Sequence, residues 1–545
     1  MQIKLLSNKN FLAFVLFSLI FLLGIFSYKD YGISTDEQFH RENGSFYYNY
    51  AKSFLNGPNS LEVKEAERLI EKNLNLGGAI FGTPSVQPVL FDITAEFFIE
   101  VLNIKSSKHI YQFRHLLNFI FFFIGLCFFY KLIGRRYKSY IYPLIGVLFL
   151  FLSPRFFGES FYNQKDIFFL SISIINIYFG IVFIKNPNFK NTFAFSLSSA
   201  LAFDTRIMSV ISIFIILVMF LLKSLRNNEF LKINLKFIIY FFPITFFFIV
   251  VFWPYVWHDP INNLLFGISQ ILSTDFSMTS LYIGEFILSQ NAPWHYPFVW
   301  IGITSPVVVI LFFLFGLFFL IRRIINRLIA IDNNLNDIWR GENEMIDIYF
   351  LSIVLLTIFL FINKGVAYDG WRLLYFIYPS IIMIALFGIY YLNLYLKSRL
   401  FKITIYLSII LNLSYLAFWN YKFHPHQYVY FNFLFKQKFN NNFEKDYWGL
   451  SNTQSLNYII NNNTQYPIKI ATKSFSSLEY SLLMVKDEDK KKVSIIYNLP
   501  DAEFLITNYR VRQKKKFLID KKKYRKYYEI TVDDVPINTV YRKIK

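Results

Sequence analysis

The sequence predicts a polytopic α-helical membrane protein of about eleven transmembrane helices, with a small α/β unit at its C-terminal end. Runs of apolar residues close to the ~20 needed to cross a bilayer recur over the first 420 residues. The composition agrees: 55% hydrophobic and only 17% charged, with 67 Phe, a balance foreign to a soluble chain of 545 residues. Beyond about residue 421 the apolar runs give way to short strand-like segments separated by polar stretches. The wealth of Phe, Ile, Asn and Lys is read as compositional drift, so aromatic stripes are assigned to lipid contact and packing. The single Cys127 lies inside an apolar run, which excludes a disulfide framework and a thiolate metal site.

Lys4 and Lys9 precede the first span, Phe11 to Phe26, and place the N-terminus in the cytoplasm by the positive-inside rule. No small-x-small cleavage pattern follows, so this span is expected to remain as an anchor. Residues 27–112 form a long outer loop. It holds the acidic stretch Ile33-Ser-Thr-Asp-Glu-Gln-Phe-His40, a polar helix over 61–73, a Gly/Pro-broken stretch over 77–88 and an interfacial helix over 89–103. The second to fourth spans are expected at about 115–132, 140–153 and 167–184. A hairpin of two shorter spans, 192–203 and 207–222, has Asp204-Thr-Arg206 at its tip. The seventh span, 237–253, leads into a second outer loop, 254–300. The remaining four are expected at about 301–321, 347–362, 373–393 and 403–419. Lys and Arg mark each short inner loop, including Arg135-Arg136, Lys223, Arg322-Arg323 and Lys397.

The division is therefore 1–420 for the membrane part and 421–545 for an outer soluble unit. In the latter, 468–472, 493–497, 503–508 and 528–532 read as strands and 476–485 as a helix. This tail holds 23 Lys and Arg against 12 Asp and Glu, and so carries most of the chain's net charge of +20. A solvated basic surface, or attraction to anionic headgroups, accounts for it; nucleic acid is not an expected partner. The tail is basic yet assigned outside, because long domains translocate regardless of charge.

Five charged clusters are expected to converge on the outer face. They are Asp36-Glu37; Arg114-His115; Arg155, Glu159, Asn163 and Lys165-Asp166; His258 with Pro293-Trp-His295-Tyr296; and Tyr368-Asp-Gly-Trp-Arg372 with Tyr375. Arg206 could join them from its hairpin tip, while the inner side offers only Lys and Arg. Charge near hydrocarbon is costly, at least ~2.5 kcal/mol per group at mid-membrane, and tends to be kept for function. A carboxylate can take the proton of an acceptor hydroxyl. Guanidinium forks suit the charge growing on a departing phosphate. A donor with a lipid tail would enter sideways between spans, and together these features describe sugar transfer from a polyprenyl-phosphate donor. No Rossmann-like unit offers a nucleotide-sugar site.

On Thr35-Asp36-Glu37, Arg114, Ser153-Pro-Arg155 with Phe161-Tyr-Asn-Gln-Lys-Asp166, and Ala367-Tyr-Asp-Gly-Trp-Arg-Leu-Leu-Tyr-Phe-Ile-Tyr-Pro379, residues 10–420 resemble the GT-C membrane glycosyltransferases, in the group of protein O-mannosyltransferases and lipid A aminoarabinose transferases. The stretches His424-Pro-His-Gln-Tyr-Val-Tyr-Phe-Asn432 and Asp446-Tyr-Trp-Gly449 are similar to the end of a bacterial subgroup. The resemblance implies a GT-C fold in a bacterial inner membrane. It makes Asp36 the base or acceptor-positioning carboxylate, Glu37 its support and Asp166 a second acid near the acceptor or an ion. Arg114 and Arg372, with Arg155, would hold the lipid phosphate. His258, His295, Tyr296 and Tyr375 are further candidates for substrate contact. Some relatives carry a divalent metal ion near these acids; this sequence has carboxylates for one but no dedicated ligand set. The family's Arg-His pairing is Arg372-Leu373 here.

The partners so implied are a polyprenyl-phosphate sugar donor, membrane lipids and an acceptor that is protein, lipid or glycan. A transporter or lipid flippase is the rival class. It would place ionisable groups near the midplane and show repeats, whereas here they gather at one surface and no repeat is visible. A sensory or assembly scaffold is a third reading, disfavoured by the large polar outer loops.

Overall fold

Apolar length decides where this chain is helical and for how long. The structure, a computed structural model, describes residues 9–75, 84–226, 228–273, 277–329, 339–364, 366–435, 440–511 and 519–544. The first span is Lys9–Ser27 (α1). The long loop that follows is largely helical: Thr35–Ser53 (α2), Leu61–Asn75 (α3) and Leu90–Val101 (α4). Most of the Gly/Pro-broken stretch expected over 77–88 lies outside the described residues.

Ser107–Arg136 (α5) is the long second span. Ile141–Phe151 (α6) and Pro154–Tyr162 (α7) meet at a 65° bend. Pro154 sits in the first turn of α7, where its missing N–H costs nothing and its fixed φ starts a new helix. The Ser153 hydroxyl before it donates to Phe149 O at 2.6 Å, closing the end of α6. Then come Asp166–Lys185 (α8), Phe189–Phe203 (α9), Ser209–Arg226 (α10) and Asn228–Phe252 (α11). Pro260–Leu272 (α12), a two-stranded hairpin of Thr279–Tyr282 (β1) and Glu285–Leu288 (β2), and Tyr296–Thr304 (α13) fill the second long loop. The last spans are Val307–Ile329 (α14), Gly341–Lys364 (α15), Tyr378–Tyr395 (α16) and Arg399–Lys422 (α17).

Among the described residues, eight helices are long and apolar enough to cross a membrane, or nine if the bent pair α6–α7 is one span. The expected fifth and sixth spans are the helices α9 and α10, shorter or less uniformly apolar than the rest. The eleven apolar segments are thus all helical.

Two glycines let α14 and α16 touch backbone to backbone. A Cβ on Gly316 would lie 1.9 Å from Ile384 O, and one on Gly388 would lie 2.3 Å from Phe312 O. Small residues at such contacts are what holds helices together where lipid removes the hydrophobic drive.

The two ends of the bundle are both charged. On α5, Arg114 and Arg136 stand about 33 Å apart at 1.5 Å per residue, close to the thickness of the hydrocarbon layer. At the Arg136 end, Arg136 Nε and Arg323 Nη1 reach the two oxygens of Asp347 at 2.6 and 3.0 Å, and Arg327 pairs with Glu344 at 2.9 Å. The expectation that this side offers only Lys and Arg is corrected by these acids, which open α15 and neutralise the basic loop ends.

The C-terminal part holds Ser451–Asn461 (α18) and a five-stranded sheet. Its strands are Ile468–Thr472 (β3), Val493–Ile495 (β4), Phe504–Thr507 (β5), Tyr524–Val532 (β6) and Val535–Lys543 (β7), in the order β4-β3-β5-β7-β6. β3 is parallel to β4 and β5; β7 is antiparallel to β5 and β6. The β6–β7 turn is Asp533-Asp534, both with positive φ (48° and 64°), as a two-residue hairpin turn requires. Leu478–Leu482 (α19) covers part of the expected helix over 476–485.

This unit is bolted to the starts of α2 and α5. Thr35 N and Oγ1 both donate to Trp448 O, at 3.0 and 2.9 Å. Tyr31 OH donates to Gln427 Oε1 at 2.8 Å, and Ser107 Oγ to Leu483 O at 2.9 Å. Ile33, Tyr111 and Met484 bury one another at the same seam.

Candidate active site

The first turn of α2 sets two adjacent carboxylates to different tasks. Glu37 is buried, and its Oε2 accepts from Ser34 N at 2.7 Å, the backward arm of a capping box. Its Oε1 is met by His115 Nε2 at 3.0 Å and Gln164 Nε2 at 2.9 Å. Glu37 therefore fixes the start of α2 against α5 and the loop before α8. Asp36 points the other way, with 39% of its side chain exposed, and accepts from Arg372 Nη1 at 2.7 Å.

Arg372 is the hub. It heads the 3-10 segment Arg372–Ile377 that opens the tenth apolar segment. Besides Asp36 it faces Asp166 Oδ2 at 3.8 Å and Asp369 Oδ2 at 3.4 Å, and it lies over the rings of Trp448 and Tyr368 at 4.6 and 4.9 Å. Asp369 and Gly370 both have positive φ (51° and 74°), the left-handed turn that folds the Asp369 carboxylate back onto Arg372. Asp166 also pairs with Arg206, and its Oδ2 takes a bond from Asn163 Nδ2 at 3.1 Å. Asn163 Nδ2 continues to Glu159 Oε2 at 2.6 Å, and Glu159 Oε1 accepts from Tyr375 OH at 2.8 Å and Tyr447 OH at 3.1 Å. One polar network thus joins Asp36, Asp166, Arg206, Arg372, Tyr375 and Glu159. A small recess beside it is lined by Asp36, Glu37, His40, Asn163, Lys165 and Trp448.

The electrostatics of the recess follow from burial and sign. Burial alone would raise the Asp36 pKa, but Arg372, then His40 and Arg510, outweigh it and hold the carboxyl below its usual range. Burial lowers His40 to about 4, so that its imidazole is neutral one helical turn from Asp36. Burial likewise lowers Lys165 to about 7, helped by Arg206; its Nζ donates to Pro88 O at 2.6 Å.

Four expected site residues lie elsewhere in role or place. Arg114, expected to hold the lipid phosphate, is fully buried and already engaged by Asp92, by Glu96 at 3.4 Å and by Gln164 Oε1 at 2.5 Å. It braces α4 against α5 through Nη1 and Nη2, and only its Nε has no hydrogen-bond partner among the described residues. His258 stands apart on the second long loop, 43% exposed, between Glu67 at 3.4 Å and Glu71 at 3.3 Å. His295 Nδ1 is bonded to Tyr282 OH at 2.7 Å beside the β1–β2 hairpin. Tyr296 is buried against Tyr282 and next to Trp300, near Asp369 and Glu444 but not bonded into the network described above.

Arg155 is buried; its Nε donates to Tyr430 O at 3.1 Å, while Nη1 and Nη2 have no hydrogen-bond partner among the described residues. Its guanidinium lies 5.6 Å from the Trp300 ring and 5.1 Å from that of Phe431.

Over 97% of its length the chain is similar to the crystal structure of ArnT from Cupriavidus metallidurans bound to undecaprenyl phosphate, covering 98% of that chain at 10% identity and a TM-score of 0.44. It is similar to the apo form of the same protein at 9% identity and a TM-score of 0.47, over 98% of this chain and 99% of that one. No family model matches the chain, and no curated protein matches it.

The charge partners also bear on a metal. Asp36, Asp166 and Asp369 each face an arginine, and no group of three or more His, Cys, Asp or Glu is arranged to hold an ion among the described residues. A donor set already neutralised by guanidinium does not fit a divalent cation.

Several site residues escaped the sequence. Asp369 was visible only as part of a cluster, His40 as the end of the acidic stretch, and Trp448 as part of a family-like Asp-Tyr-Trp-Gly. Arg510 gave no signal at all, being one cation in a basic tail. The sequon Asn43-Gly-Ser45 holds a buried Asn43 whose Oδ1 accepts from Ser85 N at 2.7 Å, so it presents no acceptor for a glycan.

Proposed function

We propose that the protein is a membrane glycosyltransferase that moves a hexosyl or pentosyl group from a polyprenyl-phosphate donor to an acceptor hydroxyl, on protein, lipid or glycan, at the outer face of a bacterial inner membrane. The observation that carries this reading is the Asp36–Arg372 pair: a partly open carboxylate bonded to a guanidinium inside an otherwise buried charged network. The motif resemblance to the GT-C transferases supports it.

The pair suggests how donor and base are coupled. With no donor, Arg372 holds Asp36 as a poorly basic carboxylate. A phosphate that takes the Arg372 fork, helped by Arg206, removes that partner and makes Asp36 more basic. Asp36 then accepts the proton of the acceptor hydroxyl as its oxygen attacks the sugar's anomeric carbon. The bond from that carbon to the phosphate oxygen breaks, and the phosphate leaves with its charge held by arginine. Asp166 keeps Arg206 and Arg372 in register. Arg155, whose Nη1 and Nη2 are buried without a hydrogen-bond partner among the described residues, is the second candidate for the phosphate, and Glu159 with Tyr375 holds Asn163 at the edge of the recess. The recess is small, so the donor would enter between spans while α2 or the C-terminal unit shifts.

The test is Asp36→Asn in membranes supplied with a panel of polyprenyl-phosphate sugars. Transfer to endogenous acceptor is expected to fall at least about a hundredfold, the range for losing a general base, with protein level and melting temperature unchanged. Undiminished transfer would remove Asp36 from the chemistry.

A further inference from the structure

Arg510 belongs to the C-terminal unit, three residues beyond β5, yet its side chain reaches Asp369 and Met278 of the membrane part. It is 9% exposed. Its backbone carbonyl accepts from Phe475 N at 2.8 Å, which ties the turn to the sheet. Nη1 donates to Tyr447 O, and Nη2 meets Asp369 Oδ1 at 2.9 Å. The other oxygen of Asp369 faces Arg372 Nη2 at 3.4 Å, and Arg372 Nη1 holds Asp36 at 2.7 Å. The charges therefore alternate in a line: Asp36, Arg372, Asp369, Arg510.

In such a line each end decides how strongly the middle is held. Asp369 lies in a buried site, where a carboxylate without a partner is costly. With Arg510 present, one of its oxygens is satisfied from the C-terminal side. Without Arg510, both oxygens would compete for Arg372, the group that also faces Asp36. We propose that Arg510 is a positioning residue: by neutralising Asp369 it leaves Arg372 free to face Asp36 and a donor phosphate, so the C-terminal unit completes the active site. This rests on the donor reading given above. Arg510 touches no reacting atom; it acts through Asp369.

The experiment uses the full-length protein in nanodiscs and undecaprenyl phosphate alone as the probe, with binding measured for wild type, Arg510→Gln, Arg510→Lys, and Arg510→Gln combined with Asp369→Asn. Arg510→Gln is expected to weaken binding about tenfold, the size of an ordinary coupling between charged neighbours. Arg510→Lys keeps the charge and is expected to stay within about threefold of wild type. Adding Asp369→Asn to Arg510→Gln removes the uncompensated carboxylate and is expected to recover most of the loss. Simple loss of docking would give no such rescue, because the Tyr447 contact stays broken. Equal binding by wild type and Arg510→Gln, or a double variant no tighter than the single one, overturns the inference. If Arg510→Gln fails to fold, Arg510→Lys decides: binding within about threefold of wild type upholds the inference, and a loss of about tenfold or more overturns it. A wild type that does not bind the probe sinks the donor reading itself, and this inference with it.

Discussion

Replacing Arg114 by Met separates bracing from ligand binding. The Arg114 guanidinium is the main partner of Asp92 and, with Arg41, of Glu96, whose side chains are only 6% and 9% exposed. Methionine fills a similar volume but leaves two acids buried with a much reduced positive charge. Breaking a buried ion pair from one side costs about 3–5 kcal/mol. Protonation limits that cost: burial already raises the Glu96 pKa against the pull of Arg114 and Arg41, and losing Arg114 raises it further. A raised carboxyl pKa favours the folded state at low pH and penalises it as pH climbs. Arg114→Met should therefore melt well below wild type at pH 8 and closer to it at pH 5, and adding Asp92→Asn should recover about half of the difference. The assay is thermal unfolding of the detergent-solubilised protein at both pH values, with undecaprenyl phosphate binding measured alongside. A variant that melts like wild type at pH 8 but no longer binds the lipid phosphate would refute the bracing role and restore Arg114 as a ligand.

The remaining predictions concern the C-terminal seam and the bundle. Burial, with Asp369 nearby, raises Glu444 to about 8 from an ordinary 4.5. The folded state then holds a proton that the unfolded state releases, so this group's stabilisation is complete below about 4.5 and is lost as pH rises toward 8. Glu444→Gln should flatten the fall in melting temperature over that window; an unchanged slope would show that Glu444 does not titrate there. Gly316→Val should force α14 from α16, because the added Cβ meets Ile384 O at 1.9 Å. A loss of about 1–3 kcal/mol is expected for such overpacking, measured as a lower denaturation midpoint, and a neutral result would show that the two helices do not touch there.

Much of the fold was legible because its cause is local. Each apolar run became a helix, since a span must satisfy its own backbone. The strands at 468–472, 493–497, 503–508 and 528–532 appeared within a few residues of their expected places, because alternation and turn residues mark them. β7 was missed: its polar residues Asn538 and Thr539 hid a strand buried on both sides of the pattern. Within the site, Asp36, Asp166, Arg372 and Tyr375 were readable as charged or hydroxyl groups at span ends, and the fold does gather them. Partner choice was not readable. Whether Arg114 faces a ligand or Asp92 depends on how α4 lies across α5, a tertiary fact without sequence period. His258 failed for the same reason: α3 supplies its two glutamates. Arg510 was hidden by a basic neighbourhood in which no single cation stands out.

The seam between Thr35 and Trp448 spans 413 residues of chain. While the ribosome is still making the last quarter of the protein, the carboxylate at the start of α2 has neither its tryptophan wall nor the arginine behind Asp369. An unfinished polypeptide would thus hold Arg372 without the Trp448 ring over it and Asp369 without its second arginine.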